Sequence, residues 1–146
     1  MIGHLQTNKA KKALEVFDAI DSLDSLNLAE TLERLLAGGG RKIPILIQVK
    51  LSEKETRSGA APEEVAALIE SLKAFGHLEA RGLMGIAPDL EPVEAVRPHF
   101  RMMRRLFERN FSGLSGAQLS MGMSRDFEIA VEEGATHVRI GTSIFS

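Results

Sequence analysis

Ile43-Pro-Ile-Leu-Ile-Gln-Val-Lys-Leu51 is rich in β-branched residues and almost continuously apolar. A strand with one wet face alternates between apolar and polar residues. An unbroken run of this kind predicts a strand covered on both faces, as in a parallel sheet flanked by helices. Outward from it, Leu78-Glu-Ala-Arg-Gly-Leu-Met-Gly-Ile86 and residues 118–122 and 137–144 read the same way. Residues 17–21 are a shorter candidate, and residues 2–5 read as a strand already under way at Met1. These make six predicted strands.

Helical signals lie between them. Ser25 is placed to cap a helix carrying Leu28, Leu32, Leu35 and Leu36, which stops at Gly38-Gly39-Gly40. Pro62 suits a first turn, with Val65, Leu68, Ile69 and Leu72 at i, i+3, i+4, i+7 and Gly76 at the close. Pro98 suits the first turn of a helix with Phe100, Met103, Leu106 and Phe107 inward. Ser124 is a candidate cap for a last helix through Phe127, Ala130 and Val131, ending at Gly134. Strand–helix alternation predicts a parallel sheet, open or closed into a barrel. A (β/α) barrel needs eight strands and typically about 250 residues, so two units would be missing.

The 146 residues suit one domain spanning 1–146 with a core of ordinary size. At 44% hydrophobic, 26% charged and a formal charge of −2, nothing points to nucleic acid, and the seven aromatics are all Phe. The absence of cysteine excludes disulfides, a thiolate nucleophile and thiolate metal sites. No apolar run approaches the roughly 20 residues that span a bilayer. The start has no signal-peptide pattern, so a cytoplasmic protein is expected. The four histidines are scattered without metal-ligand spacing.

Two segments carry candidate chemistry. In Leu119-Ser-Met-Gly-Met-Ser-Arg-Asp-Phe127 the apolar run breaks at the C-terminal end of a predicted strand, where α/β proteins bind ligands. Backbone N–H groups near Gly122 and the Ser120 hydroxyl suit a phosphate. Asp126 argues against an anion at the helix tip itself, because its carboxylate already complements the positive helix end. In Val138-Arg-Ile-Gly-Thr-Ser143, Gly141 and Thr142 offer N–H and hydroxyl donors, and Arg139 offers a fixed positive charge. In a barrel these would be its last two strands, whose loops form the recurrent phosphate site of that fold. A turn and a cap explain the same residues, and both readings stand at this point. The run Arg97, Arg101, Arg104, Arg105, Arg109 reads as a solvated basic helix face, and Lys9, Lys11 and Lys12 as the solvated start of another helix. Lys50 reads as a strand-end lysine reaching solvent.

Taken together, Ile2-Gly-His-Leu-Gln-Thr-Asn-Lys9, Leu46-Ile-Gln-Val-Lys-Leu-Ser52 with Arg57-Ser-Gly59, Gly82-Leu-Met-Gly-Ile86, Leu119-Ser-Met-Gly-Met-Ser-Arg-Asp126 and Val138-Arg-Ile-Gly-Thr-Ser-Ile-Phe145 resemble the pyridoxal phosphate homeostasis family of the YggS/PROSC type. The motifs run in the family's order and cover essentially the whole chain. The resemblance implies an incomplete (β/α) barrel of the alanine racemase N-terminal type, with about six of eight units. It implies a non-catalytic role in vitamin B6 homeostasis and binding of pyridoxal 5′-phosphate around Ser120, Met121, Gly141 and Thr142, with Arg139 in the pocket and Met84 able to line it. In the family, Ile-Gly-His-Leu-Gln opens the third strand, and a lysine on the first strand forms the Schiff base. None of the seven lysines stands in that position, so non-covalent binding through the phosphate half of the site is expected. Open barrel edges imply lower stability, or closure by a homo-oligomer or a complementing chain. The alternative reading is a barrel fragment that pairs with a full-length relative and binds little cofactor.

Overall fold

Five parallel strands form one sheet: β1 (Ile20–Leu23), β2 (Ile43–Val49), β3 (Leu78–Gly85), β4 (Gln118–Met123) and β5 (His137–Arg139). They come from a computed structural model that describes residues 1–52 and 58–145. The spatial order equals the chain order, β1-β2-β3-β4-β5, so the winding never reverses. A doubly wound sheet has a reversal point, whereas an order without one is that of a barrel wall.

The helices are α1 (Ala10–Val16), α2 (Leu26–Leu36), α3 (Val65–Leu72), α4 (Arg97–Phe111), α5 (Phe127–Glu132) and the short α6 (Thr142–Phe145). They cover the sheet with the apolar positions expected from their periodicity. Leu28 and Leu32 from α2, Val65 and Leu72 from α3, and Phe100, Met103 and Phe107 from α4 share one core with Ile20, Ile45, Ile47, Leu83 and Leu119. Each such side chain contributes about 1.5–3 kcal/mol by leaving water. In β2 every residue but Pro44 is buried, as a strand covered on both faces requires. Ser25 caps α2 by accepting from the Leu28 N–H at 3.3 Å. Among the described residues no helix is long and apolar enough to cross a membrane.

The ladder between β3 and β4 depends on Gly82. Its φ is +152°, and a Cβ there would lie 1.8 Å from the Gln118 carbonyl oxygen. Any side chain would push the two strands apart.

Several boundaries differ from expectation. Residues 2–5 form no strand. Met1 holds the edge, donating to the Ala19 carbonyl at 2.6 Å and accepting from the Asp21 N–H at 2.8 Å. The predicted strand at 17–21 lies at Ile20–Leu23, because Phe17 is still tied to the end of α1. The predicted strand at 137–144 stops at Arg139, and Thr142–Phe145 turns into α6. Pro62 sits in the turn before α3 rather than inside it. Leu35 and Val131, expected inward, are exposed.

Nor is the arginine run on α4 simply solvated. Arg97 bonds Glu94, Glu132 and Glu133, Arg101 bonds Glu133, and Arg104 bonds Glu108. The first half of the run therefore clamps α4 to α5. Lys50 falls one residue beyond β2 and is half-buried. Arg57 and Ser146 lie outside the described residues.

Candidate functional site

The loops after β3, β4 and β5 enclose a cleft of about 630 Å³ together with Ile2 and Gly3. Its walls are largely apolar, with Leu90, Val93, Val96, Met123 and Ile140 among them. Asp89, Ser124, Arg125, Asp126, Arg139, Gly141 and Thr142 bring polar groups to it. A cleft of this size with a few convergent polar groups at the C-terminal ends of parallel strands is the usual form of a small-molecule site.

Arg139 is the central charge. It leaves the end of β5 and donates from one guanidinium nitrogen to Ser120 Oγ at 2.7 Å and from another to the Gly85 carbonyl at 2.8 Å. Both acceptors are neutral, and among the described residues no carboxylate forms an ion pair with Arg139. Burial pulls its pKa below the ordinary arginine value, opposed by the charges of Asp21 and Asp126 at longer range. A guanidinium remains protonated under such a shift. It is a half-buried cation held by two neutral acceptors, with no anion among the described residues in contact.

The two lips behave differently. At the β4 lip, the Met123 N–H at the strand end is taken by the Asp126 carboxylate at 2.6 Å, and Asp126, the N-cap of α5, makes no side-chain cap bond to the helix itself. Gly122 is glycine for another reason than anion approach. Its φ is +93°, and a Cβ would lie 2.5 Å from that of Ala130 on α5. Ser124 does not cap α5, whose N-cap is Asp126. Its Oγ instead accepts from the Gly141 N–H at 3.2 Å and the Ser143 N–H at 3.4 Å. Ser124 thus ties the β4 loop to the β5 loop, the two segments singled out in the sequence. At the β5 lip, a Cβ on Gly141 would meet nothing within 4 Å, so this backbone faces open space.

Of the predicted site residues, Arg139, Gly141 and Thr142 line the cleft, and Ser120 joins them through Arg139. Ser120, Met121 and Met84 are themselves buried in the layer behind it. Arg125, which the sequence reading passed over, spans the mouth and pairs with Asp89 and Glu91. Gln48 was passed over as well. It is a buried amide in register with Met84, which is in register with Ser120. A polar residue inside a strand buried on both faces was the available signal, since such a group needs a partner. Among the described residues no group of three or more His, Asp or Glu could hold a metal ion.

The model of the alanine racemase N-terminal domain matches residues 1–146. A pyridoxal phosphate homeostasis protein of Aquifex aeolicus is 42% identical over 147 residues, covering 99% of this chain and 64% of the relative. The chain belongs to this family, in its pyridoxal phosphate homeostasis (YggS/PROSC) branch. Among solved structures, PipY of Synechococcus elongatus superposes with a TM-score of 0.89 without pyridoxal phosphate and 0.87 with it bound. Identity to PipY is 38%, over 100% of this chain and 69% of PipY. Alanine racemase of Clostridium difficile shares the fold at a TM-score of 0.75, with 15% identity over 99% of this chain and 38% of the racemase. The chain spans just under two thirds of the length of the Aquifex relative. The family's barrel accounts for the strand order seen here, and for a cleft opening where the strands end.

Proposed function

We propose that the chain binds pyridoxal 5′-phosphate without a covalent bond, as a cytoplasmic, non-catalytic protein of vitamin B6 homeostasis. In this reading it keeps the phosphate-binding half of the site. The observation that carries the reading is Arg139, a half-buried cation pinned by Ser120 and Gly85 with no contacting carboxylate among the described residues, beside two loops tied together by Ser124. A preorganised cation with neutral partners suits an anionic ligand, because it is already oriented and its charge is not cancelled in place.

The residues fit the group by that donor chemistry. Backbone at Ser120–Met121 and at Gly141–Thr142 would hold the phosphate, Arg139 would supply the fixed charge, and Met84 would stand behind the ring. When bound, the cofactor supplies an aldehyde reactive toward amines. Among the described residues no lysine lines the cleft, which supports binding without a Schiff base. PipY, at 38% identity, is known with pyridoxal phosphate bound, which supports the choice of ligand.

Equilibrium dialysis tests this directly. The expected result is saturable one-to-one binding, with the intact mass unchanged after borohydride reduction. A stoichiometric reduced adduct on any lysine would refute the non-covalent reading, and absence of binding would refute the cofactor reading.

A second reading rests on the sheet's rim. Among the described residues β5 has no strand on its outer side, and Ile144 and Phe145 beside it are 65% and 87% exposed. Such an edge can take a strand from another copy or from a complementing chain. Light scattering that reads a monodisperse monomer at tens of micromolar would remove the self-association form of this reading.

A further inference from the structure

Gln48 is 6% exposed, and among the described residues its Oε1 is one of two buried side-chain oxygens without a hydrogen-bond partner; the other is Ser22 Oγ on the neighbouring strand. Its Nε2 donates to the Ser58 carbonyl at 2.8 Å and to Ser58 Oγ at 3.1 Å. A carbonyl oxygen only accepts, so the amide atom facing it must be the nitrogen. The assignment of the amide is therefore fixed by chemistry, and the orphaned atom is an acceptor. Native interiors leave few such atoms unmet, and each one calls for an explanation.

Its position supplies the explanation. Gln48 is in register with Met84, and Met84 with Ser120, across three adjacent parallel strands. Registered neighbours in a parallel sheet project from the same face, so the three side chains form one row. Arg139 ends the row, bonding Ser120 Oγ and also the carbonyl of Gly85, the residue after Met84. Three of these four residues already belong to the proposed site. The fourth presents an acceptor with nothing to accept from.

We infer that Gln48 is a ligand-recognition residue, whose Oε1 accepts a hydrogen bond from a donor carried by the pyridine ring of the bound ligand. The donor is the ring 3-hydroxyl or an aminomethyl group at ring position 4. An aldehyde at that position offers no proton, so a site using the second donor favours the amine form of the cofactor over the aldehyde. The inference rests on the cofactor-site reading above.

The test measures wild-type protein and Gln48→Leu against three probes: pyridoxamine 5′-phosphate, 4-deoxypyridoxine 5′-phosphate and inorganic phosphate. None of them forms a Schiff base. The expected result is that Gln48→Leu binds pyridoxamine 5′-phosphate about tenfold more weakly, as for loss of one hydrogen bond, with inorganic phosphate changed by less than about twofold. An equal loss for 4-deoxypyridoxine 5′-phosphate identifies the 3-hydroxyl as the donor, and no loss identifies the aminomethyl group. Unchanged affinity for both ring ligands overturns the inference. Should Gln48→Leu fail to fold, Gln48→Met, which keeps the length of the side chain and removes both polar atoms, takes its place with the same expected loss of about tenfold for pyridoxamine 5′-phosphate. Unchanged affinity in that variant overturns the inference too. If wild type binds inorganic phosphate but neither ring ligand, the role of Gln48 fails alone. If wild type binds none of the three, the cofactor-site reading fails and takes this inference with it.

Discussion

Arg97 and Arg139 carry the same guanidinium in opposite circumstances. Arg97 is half-buried between α4 and α5, bonded to Glu94, Glu132 and Glu133, which hold its pKa above the ordinary value. Arg139 lies half-buried against the cleft, bonded to a hydroxyl and a backbone carbonyl, and burial pulls its pKa the other way. The first has its counter-charge built in and serves the fold. The second leaves its charge uncompensated at contact distance, which an isolated domain has little reason to do unless an anion arrives from outside. A count of arginines does not separate the two. Their partners do.

The largest effect is expected from exchanging these roles. Arg139→Met is predicted to weaken pyridoxal 5′-phosphate binding about tenfold to a hundredfold by dialysis. It should hold stability within about 1 kcal/mol, because an apolar replacement removes a desolvated charge. Arg97→Met should do the reverse. It should leave affinity within about twofold and lower the melting temperature, since three carboxylates are left facing one another. If Arg97→Met lost the ligand and Arg139→Met lost the fold, the assignment of the two sites would be inverted.

A smaller effect is expected at the tie between the lips. Ser124→Ala frees the N–H groups of Gly141 and Ser143. Affinity should fall about threefold to tenfold, the range of one or two modest hydrogen bonds, with the fold kept. Unchanged affinity would mean that the tie does not shape the site.

Much of the fold was legible in the sequence, for physical reasons. β2 lies inside the sheet and is covered on both faces, so its apolar run is long and nearly unbroken, whereas β3 is fully buried only in its second half, after Glu79 and Arg81. β5 ends the sheet with His137 and Val138 exposed, and its three residues leave little pattern to read. Residues 2–5 carry strand-like residues, yet among the described residues it is Met1 that pairs with the backbone of the sheet edge. At the site, Arg139 and the two loops were legible because Gly, Ser and Thr after a strand have few uses. The role of Ser124 was not, because an N-cap and a cross-loop acceptor need the same residue type. Gln48 was hidden inside an apolar run, and only the geometry reveals that its oxygen has no partner.

The smallest effect concerns a carboxylate away from the site. Burial alone would raise the pKa of Glu33, but hydrogen bonds from the His77 ring and from the N–H groups of Gly76 and His77 outweigh it and hold the pKa below the ordinary value. A carboxyl depressed in the folded state stabilises the fold above its unfolded pKa of about 4.3. That contribution is lost as the pH falls through the lower folded value. Melting temperatures taken from about pH 6 down to about pH 3 should therefore fall less steeply in Glu33→Gln than in wild type, and ligand affinity at neutral pH should not change. Like Arg97, and unlike Arg139, this group has its partners in place.

The central claim is that the cleft retains a phosphate cup built from the β4 and β5 loops, with Arg139 fixed between them. It is tested most directly by titrating the wild-type protein with pyridoxal 5′-phosphate and with pyridoxal, followed by displacement with inorganic phosphate. The chain has no Trp or Tyr, so the ligand's own absorbance reads the titration without interference. The account predicts one-to-one binding of the phosphorylated form, binding of pyridoxal at least about tenfold weaker, and displacement by phosphate. Equal affinity for the two forms, or binding that phosphate cannot displace, would contradict it.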